Sequence, residues 1–193
     1  PGRAPLQLGK PVTAIVGPYR IGSVEYEAIS VSTHKTTQEA VRGFGQSPTN
    51  FAIEVGIDKV ARFLNLDRFE VRRRNFIQKD EFPYEIPSGP SYDSGDYHAV
   101  LNKTEKLANI RSLISKRDQI RAEGKFAGIG IATCLEPSGG NAGFEPLFNE
   151  KNPTTTWMES CQVKIDLNGS ITGIIATTSA GQGHESLVST VIG

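Results

Sequence analysis

An α+β fold, with mixed sheets and packed helices, is what this sequence predicts, and three observations carry it. Residues 48–64 hold apolar positions at helical spacing. Residues 156–179 hold two β-rich runs joined by a tight-turn tetrapeptide, Asp-Leu-Asn-Gly. Strand-like and helix-like stretches are interspersed, and a hairpin among them favours α+β over a purely parallel α/β sheet.

Taken in order, residues 11–32 carry the β-branched segments VTAIV and VEYEAISVS around GPYRIG, which predicts two strands with an irregular link. A Thr-, Gly- and Gln-rich loop then runs to Ser47 and Pro48, residue types suited to the N-cap and first turn of a helix. Ile53, Gly56, Ile57, Val60 and Leu64 form one stripe, so that helix turns them inward and leaves Glu54, Asp58 and Arg62 outward. Asp67 and Glu70 have the spacing of a capping box, which predicts a short helix from Arg68 to Asn75. Arg72, Arg73 and Arg74 on it read as a solvated face.

The stretch 81–96 has three prolines and two glycines in sixteen residues, disfavours any helix and reads as a surface connection. It divides the chain into a segment 1–82, a connection 83–95 and a segment 96–193. Ser94 or Asp96 caps a further helix with Tyr97, Val100, Leu101, Thr104, Leu107 and Ala108 in register; it continues to about Glu123 and stops at Gly124. FAGIGIATCLE, 126–136, reads as a buried strand whose Gly128 and Gly130 admit a neighbouring backbone. Asn168 and Gly169 supply the positive φ angles of the hairpin turn, and the chain then enters SAGQGHES and a final helix.

Composition excludes several function classes. A formal net charge of +0 with 22% charged residues gives no basic surface for nucleic acid. No apolar run approaches the ~20 residues that span a bilayer, and PGRAPLQLGK lacks the apolar stretch of a secretory signal, so a cytoplasmic protein is expected. The two cysteines, Cys134 and Cys161, lack a second Cys or His at metal-ligand spacing and read as reduced, buried and structural. No metal-ligand set is expected within the chain.

Two loops have a form that carries chemistry, RGFGQ at 42–46 and GQGHES at 181–186, each ahead of a predicted helix. Amides at a helix N-terminus, with glycines that let a ligand approach, make a site for phosphate or another polar anion. Short glycine loops also join strands to helices with no ligand at all, and pattern alone leaves both readings open. Neither loop is a Walker A motif or a full GxGxxG fingerprint, so triphosphates and NAD have no specific support. His184 lacks a partner at metal or proton-relay spacing; His34 and His98 read as surface residues; Glu136 is a lone carboxylate; Ser186 lacks a GxSxG setting.

At these residues the sequence resembles a family. GPYRI, a THKT-type loop, VRGFGQSPTNFAIE and a helix ending LDRFEVRRRNFI, followed by SGDYHAVLNK, GIGIATCLEPSG, the Asn-Gly hairpin and GQGHES, are similar in order and spacing to the molybdopterin-binding large subunit of molybdenum hydroxylases, the xanthine dehydrogenase and aldehyde oxidase type. The resemblance spans nearly the whole chain. It implies part of the molybdopterin-binding domains of the xanthine dehydrogenase-like fold. The implied activity is hydroxylation of an aldehyde or N-heterocycle with water as oxygen source, on a molybdenum–molybdopterin cofactor in its cytosine dinucleotide form. The implied partners are remaining large-subunit segments and iron–sulfur and flavin subunits carrying 2Fe–2S and FAD.

Carried over residue by residue, the resemblance puts Arg42, Gly43, Phe44 and Gly45 beside the cofactor, with Arg42 and Phe44 nearest the reacting centre. Gly181, Gln182, Gly183, His184 and Ser186 become cofactor contacts, with Glu185 beside them. Gly43 stands where carbon monoxide dehydrogenases have a copper-binding cysteine, which disfavours that activity. The family's general-base glutamate falls beyond Gly193, so catalysis is expected only within a longer chain or a complex. The alternative is a noncatalytic scaffold of the same fold.

Overall fold

The computed structural model describes residues 8–36, 41–43, 45–136 and 160–193. Among the described residues, helices and two small antiparallel sheets make up the architecture, as the α+β expectation requires. Close contacts divide the chain into two units, 1–138 and 139–193, so the Pro/Gly-rich stretch 83–95 lies inside the first.

The first unit opens with a 3-10 turn, Lys10–Ala14, where a strand is expected. Pro11 removes a ladder donor and Thr13 Oγ1 donates to the Lys10 carbonyl at 2.8 Å, so local bonds satisfy this backbone. Residues 20–33 are likewise without regular structure. Val24, Tyr26, Ile29 and Val31 have strand character, but a strand forms only against a ladder partner, and the described residues supply none. The segment between them does find one: Tyr19 bridges Phe76, Arg20 N–H donates to the Asn75 carbonyl at 2.8 Å and Ile77 N–H to that of Pro18 at 3.0 Å.

Helix α1, Gln46–Phe63, starts two residues before Ser47–Pro48 suggests. Its N-cap is Gly45 with φ 77°, and Pro48 still falls in the first turn, where its missing N–H is not needed. Ile53 and Ile57 pack against the core as the stripe requires, whereas Val60 and Leu64 are exposed. Glu54 and Asp58, expected outward, turn inward. The cause is Arg72 on helix α2, Arg68–Asn75, which is fully buried and not on a solvated face. A buried guanidinium must be paired, and carboxylates one helical turn apart on α1 meet it: Arg72 reaches Glu54 at 2.7 Å and Asp58 at 2.8 Å. Arg73 pairs with Glu105, and Arg74 with Glu70 at 2.7 Å. Asp67 caps α2 as foreseen, accepting from the amides of Phe69 and Glu70.

Within 81–96 a small hairpin forms, β1 Tyr84–Glu85 on β2 Ser91–Tyr92. Beside it Ile86 is buried with Ile15 and Val16, so this connection is partly core. Helix α3, Tyr97–Ala108, is capped by Asp96, whose carboxylate accepts from the Ala99 amide at 2.9 Å. The predicted continuous helix is broken at Asn109, in the left-handed region with φ 47°, and α4, Ile110–Ala122, follows and stops ahead of Gly124. Leu101 of α3 completes the core of Tyr19, Phe69 and Phe76, in which the Tyr19 and Phe76 rings stack at 5.6 Å.

Residues 126–136 are not the buried strand expected. Their exposure alternates with period two, residues 127, 129, 131, 133 and 135 being half-buried and their neighbours exposed, but no ladder forms. Guanidinium groups take the carbonyls: Arg68 donates to Ile129 at 2.7 Å and Arg72 to Ile131 at 3.1 Å.

Among its described residues, 160–193, the second unit is a hairpin and a helix. Strands β3, Cys161–Ile165, and β4, Ile171–Ile175, pair antiparallel with Val163 opposite Gly173, as predicted for 160–179; residues 156–159 lie outside the described set. The turn differs in detail, because only Gly169 has positive φ, at 83°. The Gly169 amide donates to the Asp166 carbonyl and the Asp166 amide to that of Ser170, giving a three-residue loop with a glycine bulge. Helix α5, His184–Ile192, follows. Both cysteines are free, and both are exposed, not buried. Among the described residues no helix is long and apolar enough to cross a membrane.

Candidate functional site

Each unit carries one of the two glycine loops at the start of a helix. In the first, Gly43 and Gly45 adopt φ 83° and 77°, a region that an L side chain rarely enters, and this curls the loop over the first turn of α1. The Gly43 carbonyl accepts from the amides of Gln46 at 3.0 Å and Ser47 at 3.1 Å. Those amides, expected to face a ligand, are therefore used within the loop, and Pro48 has none. Arg42, at the head of the loop, is exposed.

Gln46, which sequence reasoning did not single out, fixes this loop from beneath. Its buried side chain donates to the Lys10 carbonyl at 2.9 Å and to Thr13 Oγ1 at 3.1 Å. Glu136 completes the surroundings. Its Oε1 lies 3.8 Å from Lys10 Nζ, and a β-carbon on Gly43 would sit 3.9 Å from Oε2 and 3.1 Å from Ser47 Oγ. The lone carboxylate of the sequence is thus part of the RGFG loop's wall. Phe44 lies outside the described residues.

The frame behind this loop is charged and buried. Tyr19 Oη donates to Glu54 at 2.5 Å and meets Thr133 Oγ1 at 2.9 Å, while Glu54 and Asp58 hold Arg72. Burial, then the bond to Glu54, holds the Tyr19 hydroxyl well above the ordinary phenol value. Burial acts to lower the Arg72 value, but the bonds to Glu54 and Asp58 outweigh it and keep the guanidinium charged. The network ties α1, which begins at the loop, to residues 129–133, which lead to Glu136.

In the second unit the loop joins β4 to α5. Gly181 and Gly183 have φ 92° and 74°, and Gly183 is the N-cap of α5. A β-carbon on Gly183 would meet nothing within 4 Å, so conformation, not space, demands glycine there. The first amide bonded within the helix is Leu187, to the Gly183 carbonyl at 3.1 Å. The amides of His184, Glu185 and Ser186 therefore open toward the loop with the positive end of the helix dipole. Gln182 Oε1 accepts from the Ala180 amide, leaving its side-chain NH2 to donate. His184 Nδ1 is buried and finds no hydrogen-bond partner among the described residues.

These features suit an anionic, hydrogen-bonding cofactor: an orphaned ring nitrogen, helix-start donors, and glycines that let a large group approach. Among the described residues no three His, Cys, Asp or Glu are placed to hold a metal ion directly. An orphaned ring nitrogen beside a glycine loop and open helix-start amides has the form of a cofactor-binding domain.

Family models agree. Residues 3–76 match one model described as a molybdopterin cofactor-binding domain, and residues 103–193 match a second with the same description. The nicotine 6-hydroxylase large subunit of Paenarthrobacter nicotinovorans is 31% identical over 91% of this chain and 21% of its own length. The carbon monoxide dehydrogenase large chain of Hydrogenophaga pseudoflava is 32% identical over 74% of this chain and 18% of its own. Quinoline 2-oxidoreductase from Pseudomonas putida 86 superposes with a TM-score of 0.79 at 32% identity, over 96% of this chain and 23% of that one. The chain thus spans about a fifth of the length of these relatives. It belongs to the molybdenum hydroxylase family of the xanthine dehydrogenase and aldehyde oxidase type, in the molybdopterin-binding part of the large subunit.

Proposed function

We propose that this chain forms part of the catalytic subunit of a molybdenum hydroxylase acting on a nitrogen heterocycle or an aldehyde, and that both glycine loops contact the cofactor. The observation that carries the reading is the β4–α5 loop, where His184 Nδ1 is buried without a partner among the described residues, beside open helix-start amides. Gly181, Gln182, Gly183, His184 and Ser186 would hold the pterin and its pyrophosphate in the cytosine dinucleotide form, amides and the Gln182 NH2 donating to the anionic oxygens. Glu185, an acceptor in the same turn, suits N–H donors of the pterin better than phosphate.

Arg42, Gly43, Phe44 and Gly45 would flank the molybdenum end, with Gln46 and Glu136 keeping the loop in place. When bound, the molybdenum–pterin group supplies two-electron hydroxylation with oxygen from water. The chain's own residues orient that group and, through Phe44, limit the space for an aromatic substrate. Nicotine and quinoline, for which two of the relatives are named, are nitrogen heterocycles, which ranks such substrates ahead of aldehydes. Gly43, with its positive φ, offers no thiol for a copper ion, which weighs against carbon monoxide. Electrons would leave through 2Fe–2S and FAD groups on partner chains or domains, and the remaining large-subunit segments would supply the general base. The two segments 1–82 and 96–193 would then be two molybdopterin-domain pieces joined through 83–95.

The test is turnover of quinoline and benzaldehyde by the whole enzyme in oxygen-18 water, with the released nucleotide identified after acid treatment. Labelled hydroxyquinoline and cytidine monophosphate support the reading. Absence of label, or of molybdenum, contradicts it.

A further inference from the structure

Strand β4 has a glycine at its centre, Gly173, between Thr172 and Ile174. Glycine there weakens a strand, through backbone entropy and the packing it forgoes, unless another segment must come close. Here one does. A β-carbon on Gly173 would lie 2.6 Å from Val188 Cγ1 and 2.7 Å from Ile192 Cδ1, one turn apart on α5, far inside the ~3.5–4.0 Å at which carbons pack. The Ile192 contact is the far end of a flexible side chain, which a rotamer change can shift. Val188 does not: a β-branched side chain in a helix is held to one χ1 rotamer, so relief requires α5 itself to move. The same helix starts at His184, one turn before Val188, and its N-cap is Gly183.

We propose that Gly173 is a positioning residue for the GQGH loop: its missing side chain lets α5 seat against β4, and that seating sets where the helix-start amides and His184 stand. The inference rests on the cofactor reading above for its consequence, but its geometry stands on the β4–α5 contact alone.

The experiment uses the whole enzyme and four forms: wild type, G173A, G173A/V188A and Q182A. It reads molybdenum by elemental analysis and amide hydrogen exchange across residues 181–187. G173A is expected to speed exchange of the loop amides and lower molybdenum content on the order of tenfold, the scale on which supporting residues act on bound metals. Removing the Val188 methyls in G173A/V188A makes room for the new β-carbon and is expected to return both readouts toward wild type, which general loss of packing would not. Wild-type exchange and loading in G173A overturns the proposal, as does a double variant no better than G173A. If Q182A loses molybdenum while G173A does not, positioning fails and the cofactor reading stands. If wild type itself holds no molybdenum, the cofactor reading falls, and loop exchange alone decides for or against the seating.

Discussion

The two units hold similar glycine loops by different means. In the first, the loop-bearing helix α1 is locked by a buried set of charges and aromatics: Tyr19, Glu54, Arg72, Phe69 and Phe76 are all at most 6% exposed. In the second, no residue from 160 to 193 is buried, and Ile165, Leu187 and Val191 are each at least 60% exposed. A two-stranded hairpin with one helix, the described part of this unit, is marginal alone in water, and these apolar side chains add little to it while they stand exposed. The first loop is held by what lies under it. The second depends on local fit, β4 against α5.

This contrast breaks if core truncations cost the same in both units. Phe76→Ala should destabilise by about 3–5 kcal/mol, as buried aromatic truncations do, whereas Ile171→Ala should stay within about 0.5 kcal/mol, as at exposed positions. Denaturant unfolding of the purified protein measures both, and an Ile171→Ala cost matching that of Phe76→Ala would contradict the contrast. Arg72→Met leaves Glu54 buried without its cation and should cost about 3–5 kcal/mol, with much of the loss recovered in R72M/E54M. Equal losses in the single and double variants would remove the charge network from the account.

A smaller effect, about 1–3 kcal/mol, is expected for Tyr19→Phe, which strips a hydrogen bond from the buried Glu54. The pH dependence has a definite sign. Because the fold raises the Tyr19 value, its contribution is complete below the ordinary 10.0 and is lost as pH rises toward and through the folded value. Tyrosinate absorbance should therefore lose late-titrating amplitude in Y19F. Asp96 works the other way and least. The Ala99 amide, outweighing desolvation and aided by Lys79, lowers its value, so its capping contribution is present above the ordinary 3.8 and lost as pH falls through the folded value. Asp96→Ala should flatten the acid limb of a thermal-stability profile, and an unchanged limb would assign that limb to other carboxylates.

What could be read in advance was local. The caps at Asp67 and Asp96, the span of α1, the β3–β4 hairpin and the two glycine loops each depend on residues within a few positions of one another. The inward turn of Glu54 and Asp58 was hidden because its cause, Arg72, lies on another helix, and an amphipathic stripe counts a carboxylate as outward until its partner is known. Residues 20–33 and 126–136 have strand composition, and the second even alternates, but a ladder requires a partner and composition does not name one. Asn109 breaks a helix that spacing alone runs through. At the candidate site, the two glycine loops ahead of helices were legible, whereas the buried role of Gln46 depends on Lys10 and Thr13, and Glu136 reaches the RGFG loop from a separate stretch, so no motif of adjacent letters shows these contacts.

The claim that the second unit's loop holds the cofactor is tested most directly by molybdenum and pterin content of the whole enzyme carrying His184→Ala, beside His98→Ala. Both histidines have a buried ring nitrogen without a hydrogen-bond partner among the described residues, but His98 packs edge-to-face on Phe76, a core residue of the first unit, at 5.5 Å. The account predicts that H184A loses most of its molybdenum and pterin while H98A keeps them. Full loading in H184A, or equal loss in both, would contradict it.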